Sequence, residues 1–172
     1  LLLDRAGGLW VGTSYGGVNY FHPLGGQFQH LVPAPTAAEQ VTENSVWSIY
    51  QDEDDTVWLG TNGGGLKKCT PEPFTCQTYR HDEDDPTSLS NDVILAVYPD
   101  TSGDLWLATW GGGLNRFDPA TGEFTSYRTV DGDANSISSD VVWLILQDSQ
   151  GLYWIGTGEG LNAFNPQTDQ FT

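Results

Sequence analysis

The sequence has no methionine, only two cysteines, and only six Lys and Arg residues against 23 Asp and Glu. Without an initiating methionine, and opening on Leu1-Leu2-Leu3-Asp4, it reads as a piece excised or processed from a longer protein. It lacks any apolar run near the roughly 20 residues that a membrane-spanning helix needs. It also lacks a basic, apolar leader, so no secretory signal is expected within this stretch. The shortage of cations leaves a net charge of −17. Nucleic acid would be repelled, because phosphate contacts need clustered Lys and Arg. An anionic membrane surface is disfavoured for the same reason. The excess acid reads first as solubility; divalent cation binding is the sharper alternative.

What is abundant is glycine and aromatic residues: 21 Gly, seven Trp, seven Tyr and seven Phe in 172 residues. This is a composition of β-formers broken by turns, without helical periodicity. Four tryptophans, Trp10, Trp58, Trp106 and Trp154, stand at a constant spacing of 48 (58 less 10, 106 less 58, 154 less 106). Asp4, Asp52, Asp100 and Asp148 keep the same spacing, as do Thr13, Thr61, Thr109 and Thr157. A glycine turn follows each Trp-containing stretch, and a proline closes each second stretch: Pro23, Pro71, Pro119 and Pro166. Four markers in register define an internal repeat.

Each repeat predicts four short strands. Strand one is Val46 to Gln51, echoed by Ile94 to Pro99 and Val142 to Gln147. Strand two carries the Trp. Strand three follows the glycines, and strand four begins at Phe28, Cys76, Phe124 and Phe171. Turns rich in Gly, Asp, Asn and Pro join them. A four-stranded repeat of this length fits a β-propeller blade, a twisted antiparallel sheet whose faces its neighbours must cover. The recurrent Trp then reads as a wedge between blades. The recurrent Gly after it lets sheets approach closely, and the recurrent Thr can bond nearby backbone through its hydroxyl.

The stretch Ser88-Leu89-Ser90-Asn91-Asp92-Val93, followed by Gly103-Asp104-Leu105-Trp106-Leu107-Ala108-Thr109-Trp110-Gly111-Gly112-Gly113-Leu114-Asn115-Arg116-Phe117, resembles the two-component regulator propeller repeat. The resemblance covers essentially the whole chain. Two departures are loop edits: Asp54-Asp55-Thr56 replaces a favoured glycine, and the fourth repeat, Thr157-Gly158-Glu159-Gly160-Leu161, is one glycine short. The resemblance implies the periplasmic or extracellular sensor region of a membrane-bound histidine kinase, often a hybrid with a response regulator. Some relatives precede a diguanylate cyclase instead. Many are similar to sensors of polysaccharide fragments, with two propellers and an immunoglobulin-like domain before the membrane span. No kinase motif occurs in this stretch, so it is expected to sense or assemble, not to act as an enzyme.

In a propeller the loops between strands two and three share a face with the connections between blades. Positions there that differ among repeats are the candidates for ligand binding. Tyr15 and Trp110 could stack on sugar rings, and Asn62 and Glu159 could bond hydroxyls. Asn44, Asp92 and Asp140, which lead into the blades, should line the same mouth. Each also has a plain reading as a turn residue, or for Trp110 as a further packing wedge.

Signals for chemistry are weak. His22, His30 and His81 fall outside the repeat markers, and no gathered His and Glu set supports a metal-dependent lyase. Glu159 and Asp140 are conceivable glycosidase carboxylates, but acids are common in this chain. The clusters Asp52-Glu53-Asp54-Asp55, His81-Asp82-Glu83-Asp84-Asp85 and Asp131-Gly132-Asp133 could hold Ca²⁺. None has EF-hand spacing, and solvated turns are the simpler account, so no cofactor is expected. Cys69 takes the place of Phe21, Phe117 and Phe164, and Cys76 that of Phe28, Phe124 and Phe171. The two should face each other across one hairpin. A disulfide is reasonable there and would fit an extracytoplasmic compartment; two small buried thiols are the alternative.

The expectation is therefore an all-β chain of about four blades, at approximately 1–40, 41–88, 89–136 and 137–172. Both ends fall inside a blade, and relatives typically close with about seven. Four blades alone would leave two open edges. That predicts a fragment of a larger ring, or two arcs pairing as a homodimer. The predicted function is an extracytoplasmic sensor segment binding a carbohydrate or other small ligand at the funnel mouth. It would touch the membrane only through parts outside this stretch. A secreted propeller lyase or glycosidase, or a protein-interaction scaffold, is the alternative.

Overall fold

A computed structural model describes residues 1–31, 45–71 and 74–172. All regular structure among them is β-strand. The strands form four four-stranded sheets, each from consecutive segments in simple antiparallel order. The first sheet holds β1 (Leu2–Leu3), β2 (Leu9–Gly12), β3 (Val18–Phe21) and β4 (Phe28–Leu31). The second holds β5 (Val46–Gln51), β6 (Val57–Thr61), β7 (Leu66–Pro71) and β8 (Phe74–Tyr79). The third holds β9 (Ile94–Pro99), β10 (Leu105–Thr109), β11 (Leu114–Phe117) and β12 (Phe124–Tyr127). The fourth holds β13 (Val142–Gln147), β14 (Tyr153–Thr157), β15 (Gly160–Asn165) and β16 (Gln170–Phe171). These sheets are the blades that the repeat predicts. The hairpin of β7 and β8 runs further than expected. Thr70 pairs with Thr75 and Pro71 with Phe74, so β8 starts two residues before Cys76.

The described residues divide into two compact units, Leu1–Arg80 with Asp92–Ile94, and His81–Asn91 with Leu95–Thr172. In the first unit Trp10 and Val18 of the first sheet share a core with Val46, Val57, Leu59 and Cys69 of the second. In the second unit Trp106, Ala108 and Leu114 of the third sheet share one with Val142, Ile145, Tyr153, Ile155 and Phe164 of the fourth. Trp106 sits between layers. Its ring lies 5.0 Å from Tyr153 and 5.3 Å from Phe164 across the sheet gap, with Arg116 on its own sheet 5.7 Å from the ring centre. The recurrent tryptophan is thus the wedge its spacing suggests. Truncating a buried Trp of this kind costs about 3–5 kcal/mol.

The recurrent aspartate explains how that wedge is held. In every sheet its carboxylate closes the turn between strands one and two. One oxygen accepts the indole N–H of the Trp six residues on: Trp10 to Asp4 at 2.9 Å, Trp58 to Asp52 at 2.9 Å, Trp106 to Asp100 at 3.2 Å, Trp154 to Asp148 at 3.0 Å. The other oxygen accepts the backbone N–H four residues on, from Gly8, Thr56, Asp104 and Leu152. The indole N–H would otherwise be buried without a partner, at a cost of about 1–3 kcal/mol. The same turn needs a left-handed residue. Gly7, Gly103 and Gly151 supply it, and Asp55 does so in the second sheet with φ 64°. Aspartate tolerates that conformation better than most residues. Its carboxylate also accepts from Arg5 at 2.7 Å, within the same unit.

A second recurrent bond ties the connections before the third and fourth sheets to those sheets. Asn115 donates to Ser90 Oγ at 2.7 Å while its own carbonyl accepts the Ser90 N–H. Asn162 and Ser138 repeat this. Cys69 Sγ and Cys76 Sγ are bonded across β7 and β8. They occupy the cross-strand site where Phe21 meets Phe28, Phe117 meets Phe124 and Phe164 meets Phe171 in the other sheets.

Two outcomes follow for stability. Asp100 and Asp148 are held below the usual carboxylate range. At Asp100 burial opposes the charge, but bonds from Ser102, Trp106 and Asp104 outweigh it; at Asp148 the Trp154 indole leads. A depressed folded value means their stabilisation is full above the unfolded pKa of about 4 and is lost as pH falls through the folded values. Melting temperatures between pH 5 and pH 3 should therefore fall less steeply for Asp100→Asn/Asp148→Asn than for the parent; parallel curves would contradict the clamp. For the disulfide, thiol titration of the unreduced protein should find no free thiol. Reduction should lower stability by about 2 kcal/mol, given the short loop closed.

Candidate functional site

The loop after strand two is built the same way in each unit. In the third sheet it runs Trp110-Gly111-Gly112-Gly113. The Thr109 hydroxyl donates to the Gly113 carbonyl at 2.7 Å and accepts the Gly112 N–H at 3.1 Å. The N–H groups of Gly111 and Gly113 both donate to the Asp140 carbonyl, at 2.9 and 2.8 Å. Arg128 closes the knot: its guanidinium donates to the Gly111 carbonyl at 3.2 Å and to the Asp140 carboxylate at 3.0 Å. In the other unit Thr61, Gly63, Gly65, Arg80 and Asp92 repeat the arrangement. Gly113 cannot be replaced. It holds φ +75°, and a Cβ there would stand 2.1 Å from the Tyr127 carbonyl oxygen.

This geometry places the residues that the sequence singles out. The blade-leading connections and the strand-two loops do adjoin. Asp92 lies on the loop of Asn62, and Asp140 on the loop of Trp110. Glu159 is exposed beside Gly158, whose N–H donates to Val141, the residue that pairs with Trp110. The second unit thus brings Trp110, Asp140 and Glu159 together around one row of backbone. In the first unit, Tyr15 reaches Ser45, whose hydroxyl accepts its N–H at 3.0 Å. Asn44 lies outside the described residues. The carboxylates of Asp92 and Asp140 are engaged with Arg80 and Arg128. Both oxygens of Asp140 are taken, the second by the Thr129 N–H. These two acids shape the loop rather than project from it.

Two features of this surface escaped the sequence reading. First, Tyr15 has φ 70°, at the position that Gly63 and Gly111 fill in other repeats, and its side chain is exposed. A left-handed tyrosine costs about 1–2 kcal/mol, and no burial of its ring offsets this. Second, three of the seven tryptophans fall outside the evenly spaced set of four: Trp47, Trp110 and Trp143. All three are half-exposed, at 47, 48 and 48%, while Trp10, Trp58 and Trp106 are buried. Trp47 and Trp143 sit where the register of strand one slips against strand two, between Val46 and Ser48 and between Val142 and Leu144. Such bulges re-aim a side chain. Trp143 meets Trp110 edge to face, ring centres 5.0 Å apart and planes at 85°. Subtracting the wedge tryptophans from the total would have found all three.

Elsewhere the polar chemistry is local. His22 accepts the Leu24 N–H, His30 bonds the Gly16 carbonyl, and His81 bonds the Leu89 carbonyl. The acidic clusters fold their own turns: Asp52 accepts from Asp54, Asp82 from Asp84, Asp85 from Thr87 and Asp133 from Asn135. Among the described residues no three His, Cys, Asp or Glu side chains gather as a metal site. Nor is any helix there long and apolar enough to cross a membrane. Burial pushes the Tyr153 hydroxyl up to about 12, with Asp100 adding to it, so this core phenol stays neutral.

Repeated four-stranded antiparallel sheets with wedge tryptophans define the chain as β-propeller blades. A family model described as two component regulator propeller matches it three times, at residues 40–63, 88–111 and 136–159. The three matched stretches carry the repeat that this model describes. Each match runs from a blade-leading connection to the loop after strand two, which is the surface described above. Solved structures agree on the fold. The extracellular domain of a protein assigned to a hybrid two-component system in B. thetaiotaomicron is 24% identical, with a TM-score of 0.65 over 99% of this chain and 29% of its own. PorZ, a surface component of the type-IX secretion system of Porphyromonas gingivalis, is 20% identical, with a TM-score of 0.71 over 93% of this chain and 24% of its own. A catalytically inactive virginiamycin B lyase from Staphylococcus aureus, solved with quinupristin, is 13% identical, with a TM-score of 0.69 over 100% of this chain and 53% of its own. The chain thus spans less than a third of the first two. No curated protein matches it.

The glycine knot carries a direct test. Gly113→Ala should lose at least about 3 kcal/mol in urea unfolding, since it adds both a backbone clash and left-handed strain. Gly132→Ala, with φ +81° but open space around it, should lose only about 1 kcal/mol from strain alone. Equal losses would show that the Tyr127 carbonyl does not set the loop.

Proposed function

We propose that this chain is part of the extracytoplasmic ligand-sensing region of a membrane-bound two-component sensor, a histidine kinase or hybrid, recognising a carbohydrate or other small ligand on the strand-two loop face. The observation that carries this reading is the three-fold match to the two-component regulator propeller, in register with the repeat. Half-exposed Trp110 and Trp143, brought together within one unit beside a glycine knot, support it, since binding residues sit on loops that a scaffold positions. The bonded cysteine pair fits a periplasmic or extracellular setting. The reading asks for no cofactor and no nucleic acid, in keeping with the net charge of −17.

The propeller itself is not an argument against catalysis, because a lyase shares the fold. The candidate acids are. Asp140 is fixed in an ion pair with Arg128, which leaves Glu159 without a second carboxylate partner from the sequence-predicted pair. The uncovered apolar side chains Leu144, Leu146 and Leu161 on the fourth sheet fit further blades, from the same polypeptide or from a second copy. In sheet three the counterpart of Leu161 is Leu114, which is fully buried.

The reading frame that encodes this chain should continue into a membrane-spanning segment and a histidine kinase, and the reconstituted protein should change its autophosphorylation when the ligand is added. A frame that ends without a membrane segment, or turnover of a polysaccharide by the chain alone, would overturn the assignment.

A further inference from the structure

The structure holds one surface that the recurrent markers do not account for. Trp110 and Trp143 make a right-angled corner with a 5.0 Å centre-to-centre approach, each ring close to half-exposed. Neither is a residue that every repeat requires. The position of Trp110 is Ser14, Asn62 and Gly158 in the other repeats, and that of Trp143 is Trp47 in the second sheet and Leu95 in the third. Leu95 packs against the core of its unit. Trp143 instead sits at a break in strand register, which turns its ring out of the sheet and onto Trp110. Among the described residues only the fourth sheet and the loop beside it bring two such indoles together, since Ser14 stands where a partner for Trp47 would be and Leu95 stands opposite Asn62.

Both rings are held from behind. The loop of Trp110 is knotted by Asp140 and Arg128, and Trp110 pairs with Val141, two residues before Trp143. The corner is therefore preorganised, with one indole as floor and the other as wall. Leaving two indoles half in water forgoes hydrophobic stabilisation that a ligand with an apolar face would recover.

The charge around the corner narrows the ligand. The only Lys or Arg side chains in this unit, Arg116 and Arg128, are both paired, with Asp104 at 2.6 Å and Asp140 at 3.0 Å. No guanidinium or ammonium is left to meet a sulfate, phosphate or carboxylate. Glu159 stands exposed by the same row of backbone, and the chain as a whole carries −17. A polyanion is repelled. A flat, uncharged ring with an apolar C–H face and hydroxyls at its edge is what two orthogonal indoles and one carboxylate can grip.

We infer that Trp110 and Trp143 form a subsite for an uncharged pyranose residue, with the pairing of the two rings the determinant that the other repeats do not supply. This rests on the sensory reading for its biological use, but not for its chemistry. The probes are neutral hexasaccharides of β-1,4-glucan, xylan, mannan and α-1,4-glucan, with oligogalacturonate and a heparin hexasaccharide as anionic arms. Binding to the full chain is read by calorimetry and by tryptophan fluorescence. At least one neutral probe should bind. Trp110→Ala and Trp143→Ala should each weaken it about tenfold or more, the loss of one stacked face, and Trp143→Phe should weaken it less than Trp143→Ala. Melting temperatures should barely move, since both rings are surface-exposed, and Trp143→Phe keeps the test valid should the alanine variant fail to fold. No neutral binding at millimolar probe, tighter binding of an anionic probe, or unchanged affinity in Trp143→Phe and Trp143→Ala would overturn the inference. Neutral saccharide binding by a chain whose reading frame lacks a kinase would sink the sensory reading alone. A kinase-bearing frame with no such binding would sink the subsite alone.

Discussion

The bond between an aspartate carboxylate and the indole N–H six residues later is the contact on which each sheet depends. It does two things at once. It closes the first turn by capturing a backbone N–H, and it allows a tryptophan to be buried whole between layers. Without the acceptor, the largest side chain in the chain would carry an unmet donor into the core. Without the tryptophan, the gap between sheets would have no wedge. The four copies share this geometry although the residues between Asp and Trp differ in every repeat, from Arg5-Ala6-Gly7 to Ser149-Gln150-Gly151. The acid surplus thus has a structural component: much of it is turn-forming carboxylate rather than a diffuse solubilising coat.

On that frame the loop face is assembled by backbone rather than by side chains. The glycine knots of the second and third sheets point N–H groups at a carbonyl from the next connection, and Arg80 and Arg128 lock them. The face is rigid because its bonds are short-range and mutually dependent. It is also permissive, because the residue just after the threonine takes no part in the knot through its side chain. That is why Ser14, Asn62, Trp110 and Gly158 can all stand there. A scaffold that fixes position while leaving identity free is suited to changing ligands without changing fold.

The fold was readable in the sequence because every marker that recurs has a backbone or core duty. Trp, Asp, Thr and Gly return at one fixed interval since each is required once per sheet. The strand limits follow to within one or two residues, the exception being β8, where a threonine pair and Pro71 lengthen the hairpin. The surface was only partly readable. Variation between repeats singled out Tyr15, Asn62, Trp110 and Glu159, which the structure places on the loops after strand two. It did not show that Asp92 and Asp140 face arginines, although Arg80 and Arg128 recur at the same interval of 48, because each Arg lies past the last strand of one sheet and its Asp leads into the next. Nor could periodicity flag Trp47 and Trp143. A bulge breaks the two-residue alternation by which buried and exposed positions are told apart.

The cysteine pair has one further consequence. Three hairpins close their outer edge with two phenyl rings, whose attraction is reversible and independent of surroundings. The fourth closes it with a covalent link between residues seven apart. With only two thiols in this chain, oxidation has a single intramolecular product, so no shuffling of partners is needed to reach it. One sheet in four thereby becomes a chemical record of where the chain has been: zipped once it has met an oxidant, and merely folded before.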